Sequence, residues 1–282
     1  MFFLAWGSKT NLQIMIKQLI TAFTLSLVTA TSVQAFEVIS AEDLNKDGKG
    51  THAAIDATKN AEQKFLSKLN SEVGTENFES YPWNASSDLV LSFPGAGSAL
   101  LSGSGKVLST EHIEGVTNRK TIKQEFNTGR NASSGVNYWQ TTAATGSSST
   151  FSINLTKKIA AFGFYAFDLG DFGGELNINL YQDGELVGVV ANSEYNLYEV
   201  ANSGENNGSV VYIGIIGDQQ KDGTYQTFDK VQFVIVNETG VTRDDFGFDD
   251  LTIATAEQLL VPGEPNPPVL SSTSTIASIF AD

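Results

Sequence analysis

The chain has no cysteine and only two histidines, His52 and His112. Without cysteine there are no disulfide staples, no thiol nucleophiles and no thiolate metal sites. A domain of this size must stand on packing, hydrogen bonds and bound ions. Neither histidine belongs to a metal-ligand cluster. Positive charge is also scarce, with 17 basic against 32 acidic side chains and a net charge of −15. A phosphate backbone needs concentrated basic charge, and no basic stripe appears, so nucleic acid is excluded as a partner. The acidic balance suits a soluble protein that attracts divalent cations.

Long apolar runs are missing as well. The longest lies in "MIKQLITAFTLSLVTATSVQA", residues 15–35, with Lys17 ahead of a short apolar core and small residues Val33 and Ala35 before Phe36. That arrangement is the pattern of a secretory signal and is too short for a lasting membrane anchor. Met15 is a candidate start, because the preceding residues lack a charged head. The expected location is extracellular or at the cell surface.

The expected organisation is a signal peptide over 1–35, an N-terminal loop and helix over 36–72, a sandwich over 73–260, and a Pro/Ser/Thr-rich tail over 261–282. Ala54, Thr58, Ala61, Phe65 and Leu69 recur at helical spacing and predict a helix from about Thr51 to Asn70 with a narrow apolar face. From Glu76 to Ala256 the period changes to two. "DLVLSF", "TFSINL", "ELNINLY", "SVVYIGIIG", "VQFVIVN" and "FGFDDLTIA" read as strands separated by Gly, Asn and Asp. No helical crossovers alternate with them. The expectation is an all-β, jelly-roll-like β-sandwich of roughly eight to ten strands.

Candidate sites are acidic or aromatic. Asp43, Asn45 and Asp47, followed by Gly48, have the oxygen spacing of a calcium loop, but position twelve is Ala54 rather than a bidentate glutamate. The competing reading is a turn that caps the helix. Glu79 precedes the first clear strand, and Asp249 and Asp250 interrupt the last one. Strand alternation sends those two aspartates to opposite faces, where one needs an ion or several hydrogen bonds. Asp168 and Asp171 occupy the glycine-rich break "DLGDFGG" as turn residues, metal ligands or a carboxylate pair. Trp83, Arg130, Asn137 and Trp139 form a candidate glycan contact, although neighbours Tyr138 and Trp139 point oppositely in a strand, so at least one belongs to the core.

The ordered phrases "AEQKFLSKLNSEVGTENFES", "GRNASSGVNYW", "AAFGFYAFDLGDFGGELNINL", "VYIGIIG" and "DDFGFDDLTIATAEQL" resemble secreted bacterial β-sandwich proteins of the PEP-CTERM-associated class. The resemblance covers about Ala61 to Leu260. It implies an extracellular sandwich module and brings no catalytic residue. The tail departs from that class: "VPGEP" stands where "VPEP" is expected, and neither a membrane helix nor a terminal arginine cluster follows. The expected function is a secreted, non-enzymatic module with a structural, matrix or surface role, stabilised by calcium. The alternatives are a carbohydrate-binding module and a glycan hydrolase with paired carboxylates. Expected partners are polysaccharide or surface and matrix proteins.

Overall fold

A computed structural model describes residues 36–43, 55–70, 73–111, 132–143, 147–169, 175–191, 209–236 and 244–260. Two antiparallel sheets pack face to face, so the all-β sandwich read from the period-two patterning is the observed architecture. Sheet I has β1 (Phe36–Asp43), β11 (Val210–Gly217), β8 (Ala161–Phe167), β13 (Asp244–Ala254), β6 (Asn137–Ala143) and β5 (Lys106–Ser109) in that order, with β2 (Gly74–Glu76) also paired to β13. Sheet II runs β10 (Glu185–Ala191), β9 (Glu175–Gln182), β12 (Phe228–Val236), β7 (Ser148–Ile159), β4 (Gly97–Gly103), β3 (Leu89–Phe93).

Alternation explains which residues meet between the sheets. Leu176, Ile178 and Leu180 of β9 face inward, as do Val231, Phe233 and Ile235 of β12 and Phe151 and Ile153 of β7. The centre is aromatic. Phe151 stacks on Phe233 at 4.4 Å, and Phe164 and Phe248 meet Phe233 edge-on at 5.1 and 5.2 Å. Each such ring contributes about 1.5–3 kcal/mol through burial.

β8 and β11 are buried on both faces because sheet I is covered on its outer side too. The cover is α1 (Asp56–Leu66), whose Thr58, Ala61 and Phe65 are buried. Phe65 meets Tyr212 of β11 edge-on at 6.1 Å. The helical face read from the sequence is therefore observed, with Leu69 continuing it into an isolated bridge with Leu259.

The cap of α1 comes from a distant residue. Ile55 at the N-cap position offers no side-chain oxygen. Asp43, at the end of β1, accepts hydrogen bonds from the Ala57 and Thr58 amides (3.1 and 2.8 Å) and the Thr58 hydroxyl (2.7 Å). A carboxylate at a helix N-terminus also meets the positive end of its dipole. The capping reading of Asp43 holds, while Asn45 and Asp47 lie outside the described residues. One expectation needs correction: residues 36–43, read as loop, form an edge strand paired with β11 along its whole length. No described helix is long and apolar enough to cross a membrane.

Candidate functional site

Two phrases far apart in the sequence converge on one short segment, residues 132–137. Asp249 is fully buried and its Oδ2 accepts from the Ser133 amide (2.7 Å), the Ser133 hydroxyl (2.9 Å) and the Ser134 amide (3.2 Å). Asp250 Oδ1 accepts from the Ser134 hydroxyl at 2.7 Å. Glu79 Oε1 accepts from the Val136 and Asn137 amides at 2.7 and 2.6 Å. Asn137 returns the contact, its Nδ2 donating to the Phe78 and Tyr81 carbonyls at 3.2 and 3.4 Å.

The backbone is shaped to make this clamp. Phe78 has φ 60° and is buried against Trp139, ring centroids 6.4 Å apart. Glu76 Oε1 accepts from the Phe78 amide at 2.8 Å, fixing that left-handed residue. Gly135 has φ 61°, and a Cβ there would overlap the Glu79 carboxylate.

A register shift between Asp249 and Thr252, with Asp250 at φ 47°, breaks the alternation of β13. Both aspartates consequently reach Ser134, which overturns the expectation that they point to opposite faces. Burial first, and the neighbouring Asp250 charge second, push the Asp249 carboxyl up to about 8. Among the described residues its Oδ1 has no hydrogen-bond partner. Nearby, Glu62 of α1 accepts from the Tyr165 hydroxyl at 2.8 Å, and burial raises the pKa of both groups.

The carboxylate oxygens of the clamp meet peptide and serine donors, and among the described residues no three acidic or histidine side chains are placed to share an ion. Asp168, at the end of β8, has φ 65° and is buried, and its amide donates to the Ser209 carbonyl at 2.9 Å. That is a left-handed residue where β8 ends. Asp171 and Arg130 lie outside the described residues.

Of the aromatic candidates, Trp139 cannot meet a glycan. It is fully buried, in contact with Phe78 and Phe151. Tyr138 is buried as well, so both members of that pair are interior. Asn137 is occupied by the clamp. Trp83 is half-buried.

The accessible surface that sequence reading missed is the outer face of sheet II. One row crosses it strand by strand, in the pairing order Val90, Leu100, Asn154, Lys230, Tyr181, Leu186. The adjacent row carries Ser102, Ser152, Gln232, Asn179 and Val189. Gln232 Oε1 accepts from Asn179 Nδ2 (3.3 Å) and the Tyr181 hydroxyl (3.1 Å), and Lys230 Nζ lies 5.0 Å from the Tyr181 ring centroid. Six strands span about 24 Å at ordinary strand spacing. The signal was in "ELNINLYQ", whose outward members are Asn177, Asn179 and Tyr181.

No family model matches the chain, nor does any curated protein. Among solved structures, the chain is similar to the K2 cleaved adhesin domain of Lys-gingipain, at 14% identity and TM-score 0.36 over 66% of this chain and 99% of that one. It is also similar to the C-terminal family 22 carbohydrate-binding module of Clostridium thermocellum Xyn10B, at 12% identity and TM-score 0.33 over 68% and 99%. A family 29 carbohydrate-binding module aligns at 11% identity and TM-score 0.29 over 67% and 94%.

Proposed function

We propose that this protein is a non-catalytic, polysaccharide-binding β-sandwich module acting outside the cell. The observation that carries the reading is the outer face of sheet II. Amide and hydroxyl side chains of Asn154, Asn179, Gln232 and Ser102 line it in register beside the half-exposed ring of Tyr181. Sugar hydroxyls are matched by neutral groups that both donate and accept, as an amide does. Tyr181 adds an apolar surface for a sugar ring, with Lys230 already held against it. Each hydrogen bond exchanged with water contributes only about 0.5–1.5 kcal/mol, so a single module binds weakly and through several contacts.

Affinity electrophoresis through gels containing soluble neutral and acidic polysaccharides tests this. Retardation by at least one polymer, reduced in Tyr181→Ala and Gln232→Ala at unchanged melting temperature, is the expected result. Free migration of the wild-type protein through every polymer, or equal retardation of all three proteins, refutes it.

A role in surface or matrix assembly is the second reading. Among the described residues β10 pairs with β9 alone, and its Leu186 and Val189 are exposed, which favours it.

A further inference from the structure

The amides on the outer face of sheet II are each half engaged by their neighbours, and the half left over limits what a ligand can be. Gln232 Oε1 accepts from Asn179 Nδ2 at 3.3 Å and from the Tyr181 hydroxyl at 3.1 Å, which leaves Gln232 Nε2 as a donor. Asn179 spends an N–H on that contact and keeps its Oδ1 as an acceptor. Asn154 Nδ2 donates to the Leu100 carbonyl (3.3 Å) and the Ser102 hydroxyl (3.2 Å), so both of its N–H groups are spent and only Oδ1 is left. Gln232 and Asn179 are register partners across β12 and β9, so a donor and an acceptor stand side by side.

Two carboxamide oxygens on this face therefore call for donors, and one amide nitrogen calls for an acceptor. A sugar hydroxyl meets both demands, because it gives one hydrogen bond and takes others. An ionised carboxylate only accepts. It would suit Gln232 Nε2 and set oxygen against oxygen at Asn179 and Asn154. Charge points the same way. Neither row crossing the face holds an acidic residue, and its one ionised side chain, Lys230, lies 5.0 Å from the Tyr181 ring centroid. At the β9–β10 turn Asp183 pairs with Lys158 at 2.5 Å, Asp229 accepts from the Asp183 amide at 2.9 Å, and Glu185 follows, so carboxylates outnumber the ammonium. A polyanion would meet that border and a chain of net charge −15.

We infer that the polysaccharide taken by this face is uncharged, its neighbouring hydroxyls accepting from Gln232 Nε2 and donating to Asn179 Oδ1 and Asn154 Oδ1. The inference rests on the polysaccharide-binding reading above and narrows its ligand class. Gln232→Glu is the informative substitution. It keeps the oxygen that holds Asn179 and Tyr181 and converts only the free donor into an acceptor.

Affinity electrophoresis of the full chain compares galactomannan, arabinoxylan and hydroxyethyl cellulose, which are neutral, with polygalacturonate and alginate, which carry a carboxylate on every sugar. Titration calorimetry then follows the most strongly retarding polymer at about 0.1 and 1 M sodium chloride, between which the Debye length falls from about 10 to 3 Å. The expected result is retardation by at least one neutral polymer and by neither acidic one, with affinity unchanged by salt. Gln232→Glu should weaken that binding at least about fivefold, the worth of one hydrogen bond, at an unchanged melting temperature. Retardation by either acidic polymer, affinity that falls as salt rises, or wild-type binding by Gln232→Glu overturns the inference and leaves polysaccharide binding itself standing. Free migration through all five polymers refutes the reading on which it rests, and the inference with it.

Discussion

Replacing Asp249 by Asn tests the clamp through its pH dependence. The buried Asp249 carboxyl, with Asp250 beside it, is pushed from an ordinary value of 3.8 up to about 8. In the unfolded chain it ionises near its ordinary value. Between those two pH values the folded protein therefore holds a proton that the unfolded chain has released. The stability this provides is complete below the unfolded pKa and is lost as pH rises through the folded one. The slope reaches about 1.4 kcal/mol per pH unit, which sets a ceiling of about 6 kcal/mol over the window. Asn keeps an oxygen for the Ser133 and Ser134 donors, places an amide where Oδ1 lacks a partner, and does not titrate. Urea unfolding of both proteins at half-unit pH steps isolates the effect, because Glu42, raised to about 7 by burial and by Asp43, titrates in the same sense in both. The wild-type protein should lose several kcal/mol relative to Asp249→Asn as pH rises to 8. A difference that stays constant across that range, or that moves in favour of the wild-type protein, refutes the reasoning.

Other outcomes follow from the same contacts. Glu79→Ala removes the acceptor for two amides and should cost about 1–3 kcal/mol in denaturant unfolding. Gly135→Ala combines a left-handed backbone with a clash against Glu79, so a loss of at least about 1–2 kcal/mol is expected by thermal melting. Trp139→Ala empties the space between Phe78 and Phe151 and should cost about 3–5 kcal/mol, measured as a lowered unfolding midpoint. Calcium titration of chelator-treated protein should leave the Asp249→Asn difference unchanged, since the donors on that carboxylate are peptide and serine groups. A rise in melting temperature lost in Asp168→Asn would place an ion in the Asp168 turn instead.

The strands that face one sheet and water on the other side were legible, because period-two patterning directly reports one buried face. β9 and β12 are read correctly for that reason, and β11, apolar on both faces, is read as central. β1 was missed because "FEVISAED" carries its acidic residues on an exposed edge and offers few apolar residues to alternate. The clamp was only half legible. Glu79, Asp249 and Asp250 stand out as carboxylates at strand ends, but the irregularity at Asp250 that turns both aspartates toward Ser134 is a backbone event with no residue signature. Trp139 was misplaced because alternation decides that neighbours point apart, while only tertiary packing shows that both sides of β6 are covered. The amide face of sheet II was present in "ELNINLYQ" all along. Polar members of a strand look like mere solvent exposure until pairing sets them beside Gln232 and Lys230.

The order of strands along the chain has a kinetic consequence. Phe36, at the start of β1, pairs with Gly217, and Gly74 of β2 pairs with Ile253. The first strand made therefore has no partner until nearly the last has left the ribosome, a delay of about 10–40 s at ordinary rates of synthesis. Closure of so many distant pairs is itself slow. Sheet I thus cannot complete itself until β11 and β13 have been made, however early its first strand emerges.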